Sequence, residues 1–137
     1  MGGRIAFVED YGEQLAQYLV HGVDMWLNNQ LPPMEACGTS GMKAALNGVP
    51  QLSLLDGWWI EGCVEGVTGW AVGNGVKMSA IDDANSLYDK LQQVVLPMYY
   101  QDRKGWIQVM KGAITLNASY FNSHRMMRRY ATEAYIR

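Results

Sequence analysis

An α/β fold with a parallel sheet flanked by helices is predicted for these 137 residues by three observations. Short apolar runs rich in β-branched and aromatic residues alternate with segments whose apolar residues recur at helical spacing. The connections between them are short, as strand–helix alternation in a parallel sheet requires. Hydrophobic residues make up 49% of the chain and charged ones 18%, so a real core is expected rather than disorder.

The elements follow in order. "RIAFVE" (4–9) reads as a strand. Asp10 and Glu13 stand at capping-box spacing before a helix marked by Leu15, Leu19 and Val20, which stops at Gly22. "VDMWLN" (23–28) reads as a second strand, and the prolines of "NQLPP" make the next stretch a loop. "GMKAALNG" is a short helix ending at Asn47-Gly48, "VPQLSLLD" (49–56) a third strand, "GWWIEGCVEGVTG" a glycine-rich loop and "WAVG" a short fourth strand. From Ser79 the character is helical. "SAID" is a capping box, Leu87, Leu91, Val94 and Val95 form a stripe ending at Pro97, Trp106, Met110 and Ala113 a second, and Tyr120, Met127, Ala131 and Ala134 a third. Residues 1–78 are thus expected to form the α/β core and residues 79–137 helices packing on it within the same domain. Three or four strands make a thin sheet, and "MGG" runs straight into a strand, so the chain reads as about half of a doubly wound domain whose other strands lie upstream.

Composition narrows the function. A net charge of −2 with interspersed acids and bases argues against a general nucleic-acid binder. No window of 18 apolar residues or signal-peptide pattern occurs, so a soluble cytoplasmic protein without membrane contact is expected. Cys37 and Cys63 are too few for a disulfide framework or zinc site and are read as free thiols. His21 and His124 lack partners at metal-ligand spacing, and no metal site is expected.

The informative stretch is "MEACGTSGMKAALNGV" (34–49). In an open α/β sheet, ligands bind beyond the carboxyl ends of strands, at helix starts. Gly38 and Gly41 allow close backbone approach, Thr39 and Ser40 offer hydroxyls, and the first-turn amides are free donors, which together favour a phosphate or similar anion. Lys43, about one turn in, can stay a cation beside a phosphate or act as a nucleophilic amine when its pKa is lowered. Glu35 can accept hydrogen bonds from sugar hydroxyls. "GTSG" fits neither the Walker pattern nor the dinucleotide fingerprint, and from chemistry alone a tight loop capped by Thr39, with Lys43 solvated, stands as an equal reading.

"EACGTSGMKAALNGV" followed by "SLLDGWWIEG" resembles the α-glucan phosphorylase family (glycogen, starch and maltodextrin phosphorylases), in the spelling of its shorter bacterial and archaeal branch. "RIAFVEDYGEQLA" and "FNSHRMMRRY" resemble flanking family segments, so the likeness covers nearly the whole chain, as a C-terminal segment. The resemblance implies a partial Rossmann-like sheet from the C-terminal domain of a GT-B type glycosyltransferase. It implies an enzyme that uses pyridoxal 5'-phosphate to transfer the terminal α-1,4-glucosyl unit of a glucan to inorganic phosphate, giving glucose 1-phosphate. Lys43 corresponds to the lysine that carries the cofactor. Thr39, the Ser40 amide and Tyr11 correspond to groups holding its phosphate. Glu35 and the amides of Cys37 and Gly38 correspond to contacts with glucosyl hydroxyls, Cys37 replacing the usual serine. The cations that grip the substrate phosphate lie upstream in the family, so the 137 residues alone are expected to be inactive and to bind the cofactor poorly, the missing N-terminal portion being the natural partner.

Two rivals remain at this point. One is a nucleotide-sugar glycosyltransferase of the glycogen or starch synthase type, which needs no such lysine. The other is a non-catalytic α/β module that associates with copies of itself through exposed sheet edges. Among other residues, Trp58 and Trp59 are expected to pack against a missing domain in preference to stacking on sugar, and Asp56 to cap a loop before Gly57. Arg125, Arg128 and Arg129 are read as helix C-terminal charges or carboxylate partners, and Cys63 as inert.

Overall fold

The protein is described here by a computed structural model covering residues 4–73, 75 and 79–136. Its elements are α1 (Glu13–Gly22), β1 (Trp26–Asn28), α2 (Thr39–Leu46), β2 (Gln51–Leu54), the single turn α3 (Trp59–Gly62), β3 (Gly69–Val72), α4 (Ala80–Lys90), α5 (Leu96–Gln101), α6 (Arg103–Gly112) and α7 (Ser123–Arg129). Widened helical turns of π type continue α4 over Leu91–Val95, α6 over Ala113–Ala118 and α7 over Tyr130–Tyr135.

The three strands form one parallel sheet in the order β1-β2-β3. The register sets Leu52 beside Trp70 and Leu54 beside Val72, so one face is large and apolar. The opposite face carries Gln51, Ser53, Gly69 and Ala71, small or polar groups on which a helix can sit closely. The apolar face packs on Val95, Trp106 and Val109 from the C-terminal helices, with Trp70 stacked on Trp106 at 5.7 Å between ring centroids. A second, smaller cluster joins Ala45 of α2, Trp58, Trp59 and Ala113. β2 is buried along its whole length, as a central parallel strand must be.

Four local expectations need correction. Residues 4–9 form no strand: their side chains are exposed, Ile5 by 95% and Phe7 by 89%, and among the described residues no ladder partner satisfies their backbone. The Asp10–Glu13 capping box does not form, because Gly12 occupies the cap position and Asp10 sits outside it at a φ of 51°. Pro97 does not end its helix. The turn before it is widened over Leu91–Val95, and Pro97 falls in the first turn of α5, where its missing N–H is tolerated. The glycine-rich stretch after β2 is more than a loop, since it contains α3 and both buried tryptophans. The Ser79 cap does form: its side chain accepts from the Asp82 amide at 3.3 Å. Among the described residues, no helix is long and apolar enough to cross a membrane.

Candidate functional site

The segment between β1 and α2 leaves the carboxyl end of the sheet and turns sharply at Gly38, whose φ of 88° is readily reached only without a Cβ. Gly38, rather than Thr39, is the N-cap of α2, and no side chain caps the helix. The Thr39-capped loop is therefore not what forms. Among the described residues, the amides of Gly38, Thr39 and Ser40 have no hydrogen-bond acceptor. They are the open donors of a helix start, on a helix of two turns. Lys43 is exposed on the same helix, and its ammonium makes no ion pair among the described residues. The helix ends as its sequence demands: Asn47 caps it, Gly48 takes a φ of 71°, and the amides of Asn47, Gly48 and Val49 return to the last carbonyls.

Glu35 and Cys37 lie one residue apart on the approach. The Cys37 amide donates to the Glu35 carboxylate at 3.4 Å, a long bond that an incoming hydroxyl can displace. Thus Glu35 and Cys37 are joined on the approach to Gly38, and Thr39, Ser40 and Lys43 follow on the first turns of α2. Tyr11 lies in the exposed stretch before α1, and among the described residues no hydrogen bond joins it to the turn.

The loop after β2 completes the arrangement. Asp56 is 5% exposed and accepts from the Glu35 amide at 3.0 Å and from the Gly57 amide at 2.9 Å. The Trp58 amide donates to the Cys37 carbonyl at 2.8 Å. Asp56 therefore caps its own turn, as its place before Gly57 suggests, and also ties that turn to the Glu35 loop. Trp58 and Trp59 are buried within this chain, edge to face at 5.2 Å, with Phe121 against Trp58 at 5.1 Å. The expectation that they wait for a missing domain is overturned, and sugar stacking with it, because α2 and the wide turn after α6 already cover them. Sequence reading missed that Gly38 and Gly41 face inward as well: a Cβ at Gly41 would come 1.9 Å from the Gln51 side-chain oxygen and 3.0 Å from the Trp58 indole nitrogen. The signal present was the pairing of a small-residue helix start with a bulky dipeptide.

The remaining candidates are structural. Arg129 pairs with Glu133 through two hydrogen bonds at 2.9 and 3.0 Å, and Arg125 lies 3.5 Å from the Tyr120 ring centroid. Both cysteines are free. Burial, helped by Glu65 and opposed by Lys90, pushes the Cys63 thiol from 9.0 up to about 12. At pH 8 only about one Cys63 in ten thousand is then thiolate, and iodoacetamide is expected to alkylate exposed Cys37 first, by about a hundredfold. Mass-mapped labelling against time checks this. The sign for stability follows: the unfolded thiol loses its proton near 9 and the folded one near 12, so Cys63 subtracts stability as pH rises through that window.

No family model matches the chain. Individual proteins do. It is 54% identical over 143 aligned positions to a glycogen phosphorylase of Aquifex aeolicus, 45% over 137 to a maltodextrin phosphorylase of Thermococcus litoralis, and 42% over 142 to a glycogen phosphorylase of Mycobacterium tuberculosis. These alignments cover 98%, 96% and 96% of the chain but 20%, 16% and 16% of the relatives, so the chain spans a fifth or less of their length. Along almost every residue, then, the chain is similar to one segment of the glycogen and maltodextrin phosphorylases.

Proposed function

We propose that the chain is the C-terminal, cofactor-bearing segment of an α-glucan phosphorylase of the GT-B architecture. The complete protein transfers the terminal α-1,4-glucosyl unit of a glucan to inorganic phosphate and releases glucose 1-phosphate. The observation that carries this reading is the open first turn of α2. Among the described residues its amides at Thr39 and Ser40 are unpaired, and so is the exposed Lys43 one turn further on.

That donor set suits pyridoxal 5'-phosphate. The amides and hydroxyls of Thr39 and Ser40 are oriented donors for a dianionic phosphate, and the helix start adds its positive end. Lys43 supplies the amine that carries the cofactor. Tyr11, which stands apart from the turn in this structure, would add a hydroxyl only with its exposed segment folded against the turn in the complete enzyme. When bound, pyridoxal phosphate supplies a phosphate group that exchanges protons beside the substrate phosphate. Glu35 accepts from glucosyl hydroxyls, and the Cys37 and Gly38 amides donate to them. Because these are backbone donors, cysteine in place of serine leaves them intact. The 137 residues by themselves do not turn over glucan, since the cations that balance substrate phosphate come from elsewhere in the enzyme. Residues 1–78 and 79–137 act as one unit, and the rest of the enzyme is their partner, in the cytoplasm.

Incubation of the full-length protein with pyridoxal phosphate, borohydride reduction and mapping of the modified lysine tests the reading. The adduct is expected at Lys43 in about tenfold excess over the other lysines, the equivalent of one charge-assisted contact set. Lys43→Ala should remove it without altering the fold, because Lys43 is exposed. A cofactor adduct spread evenly over the lysines would overturn the phosphorylase reading in favour of the nucleotide-sugar synthase type.

A further inference from the structure

The turn after β2 does more than end a strand. Asp56, Gly57 and Trp58 each contact the Glu35–Gly41 segment by a different means. Asp56 accepts from the Glu35 amide, and the Trp58 amide donates to the Cys37 carbonyl. Gly57, at a φ of 54°, lies so close that a Cβ would come 2.5 Å from the Cys37 carbonyl oxygen. The Trp58 ring lies under the turn: a Cβ on Gly38 would come 3.1 Å from its Cδ1, and one on Gly41 3.0 Å from its Nε1. Beneath the ring stands Phe121, at 5.1 Å, which packs in turn on Tyr120 at 4.9 Å. The indole is thus wedged between the ligand turn and the segment leading into α7.

We propose that Asp56 and Trp58 are positioning residues for the ligand turn, and that Phe121, by backing the indole, lets the C-terminal helices set the turn's geometry. This rests on the phosphorylase reading for the identity of the ligand, but not for the mechanical claim. Asp56 holds the approach at Glu35, and the indole fixes the height and tilt of Gly38 and Gly41, between which Thr39 and Ser40 present their donors. The role is one of shape. The Trp58 Nε1 is buried with no hydrogen-bond partner among the described residues, so its polarity does not hold the turn.

Two readouts on the full-length protein that contains these residues separate the mechanical claim from the ligand reading. The first is the iodoacetamide rate of Cys37, which sits inside the clamped loop, with Cys63 as a slow internal control. The second is the ratio of borohydride-fixed labelling at Lys43 by pyridoxal phosphate to that by pyridoxal, which reports phosphate recognition and not general folding. Trp58→Ala and Phe121→Ala are expected to raise the Cys37 rate about tenfold and bring the labelling ratio toward one, while Trp58→Phe leaves both within about twofold. Should Trp58→Ala fail to fold, Asp56→Asn probes the same clamp from its other side, since Asp56 accepts from Glu35 and Gly57 through its two separate oxygens and asparagine replaces one of them with an NH2 that can only donate. Unchanged Cys37 rates in Trp58→Ala, Phe121→Ala and Asp56→Asn would overturn the positioning role, as would a Trp58→Phe defect as large as that of Trp58→Ala. A parent labelling ratio of one, alongside shifted Cys37 rates, would instead overturn the ligand reading and leave the clamp standing.

Discussion

Gly57→Ala is expected to lower stability by about 3 kcal/mol, with a fall in melting temperature of roughly 10 °C. Two costs add. An alanine at a φ of 54° loses about 1 kcal/mol to the left-handed conformation. Its Cβ would also stand 2.5 Å from the Cys37 carbonyl oxygen and 2.9 Å from the carbonyl carbon. These are backbone atoms and cannot rotate away, so the loop must shift. The shift breaks the 2.8 Å bond from the Trp58 amide to Cys37, worth about 1 kcal/mol, and strains the Glu35–Asp56 bond. Thermal melting by circular dichroism measures the stability loss. Losing less than about 1 kcal/mol would show that the two loops are not locked together as described.

Trp70→Ala is expected to cost about 4 kcal/mol and leave little folded protein at 37 °C. Trp70 is 1% exposed, on the apolar face of the sheet beside Leu52, and stacks on Trp106, which meets Tyr99 edge to face at 5.0 Å. This aromatic group is where the sheet grips the C-terminal helices, so its loss opens a cavity at the centre of the larger core. Urea unfolding read by circular dichroism, with Trp70→Phe as a milder partner, gives the size of the effect. If Trp70→Ala unfolded at the same urea concentration as the parent, the helices from Ala80 onward would not be integral to the fold.

The two residues also divide what local pattern can reveal from what it cannot. The run around Trp70 is apolar on its face, and its burial follows from composition. The Asp56-Gly57-Trp58 turn offered only a turn signal, and its grip on a loop about twenty positions earlier is not written in any local period. The Trp58–Trp59 pair shows the difference most clearly. Bulky aromatics in a glycine-rich stretch look as if they await a partner, yet the small residues of α2, Gly41, Ala44 and Ala45, leave the space they fill.

From sequence alone come the parallel α/β character, strands within 23–28 and 49–56 and at "WAVG" (70–73), which form over the shorter spans 26–28, 51–54 and 69–72, the Asn47-Gly48 helix stop, the Ser79 cap and the lysine-bearing turn, because each depends on side-chain period, backbone freedom or a hydrogen bond within a few residues. Only the tertiary structure decided that residues 4–9 stay unpaired, that the helix begun at Ala80 continues past Pro97 through a widened turn, that Gly38 rather than Thr39 caps α2, and that Asp56 and Trp58 are bonded to the loop at Glu35 and Cys37. The physical reason is common to all four. A strand needs a free edge and a cover, a helix can widen to absorb a proline when its neighbours still bury it, and a loop takes whatever shape its distant contacts hold in place, and none of these is a property of the segment by itself.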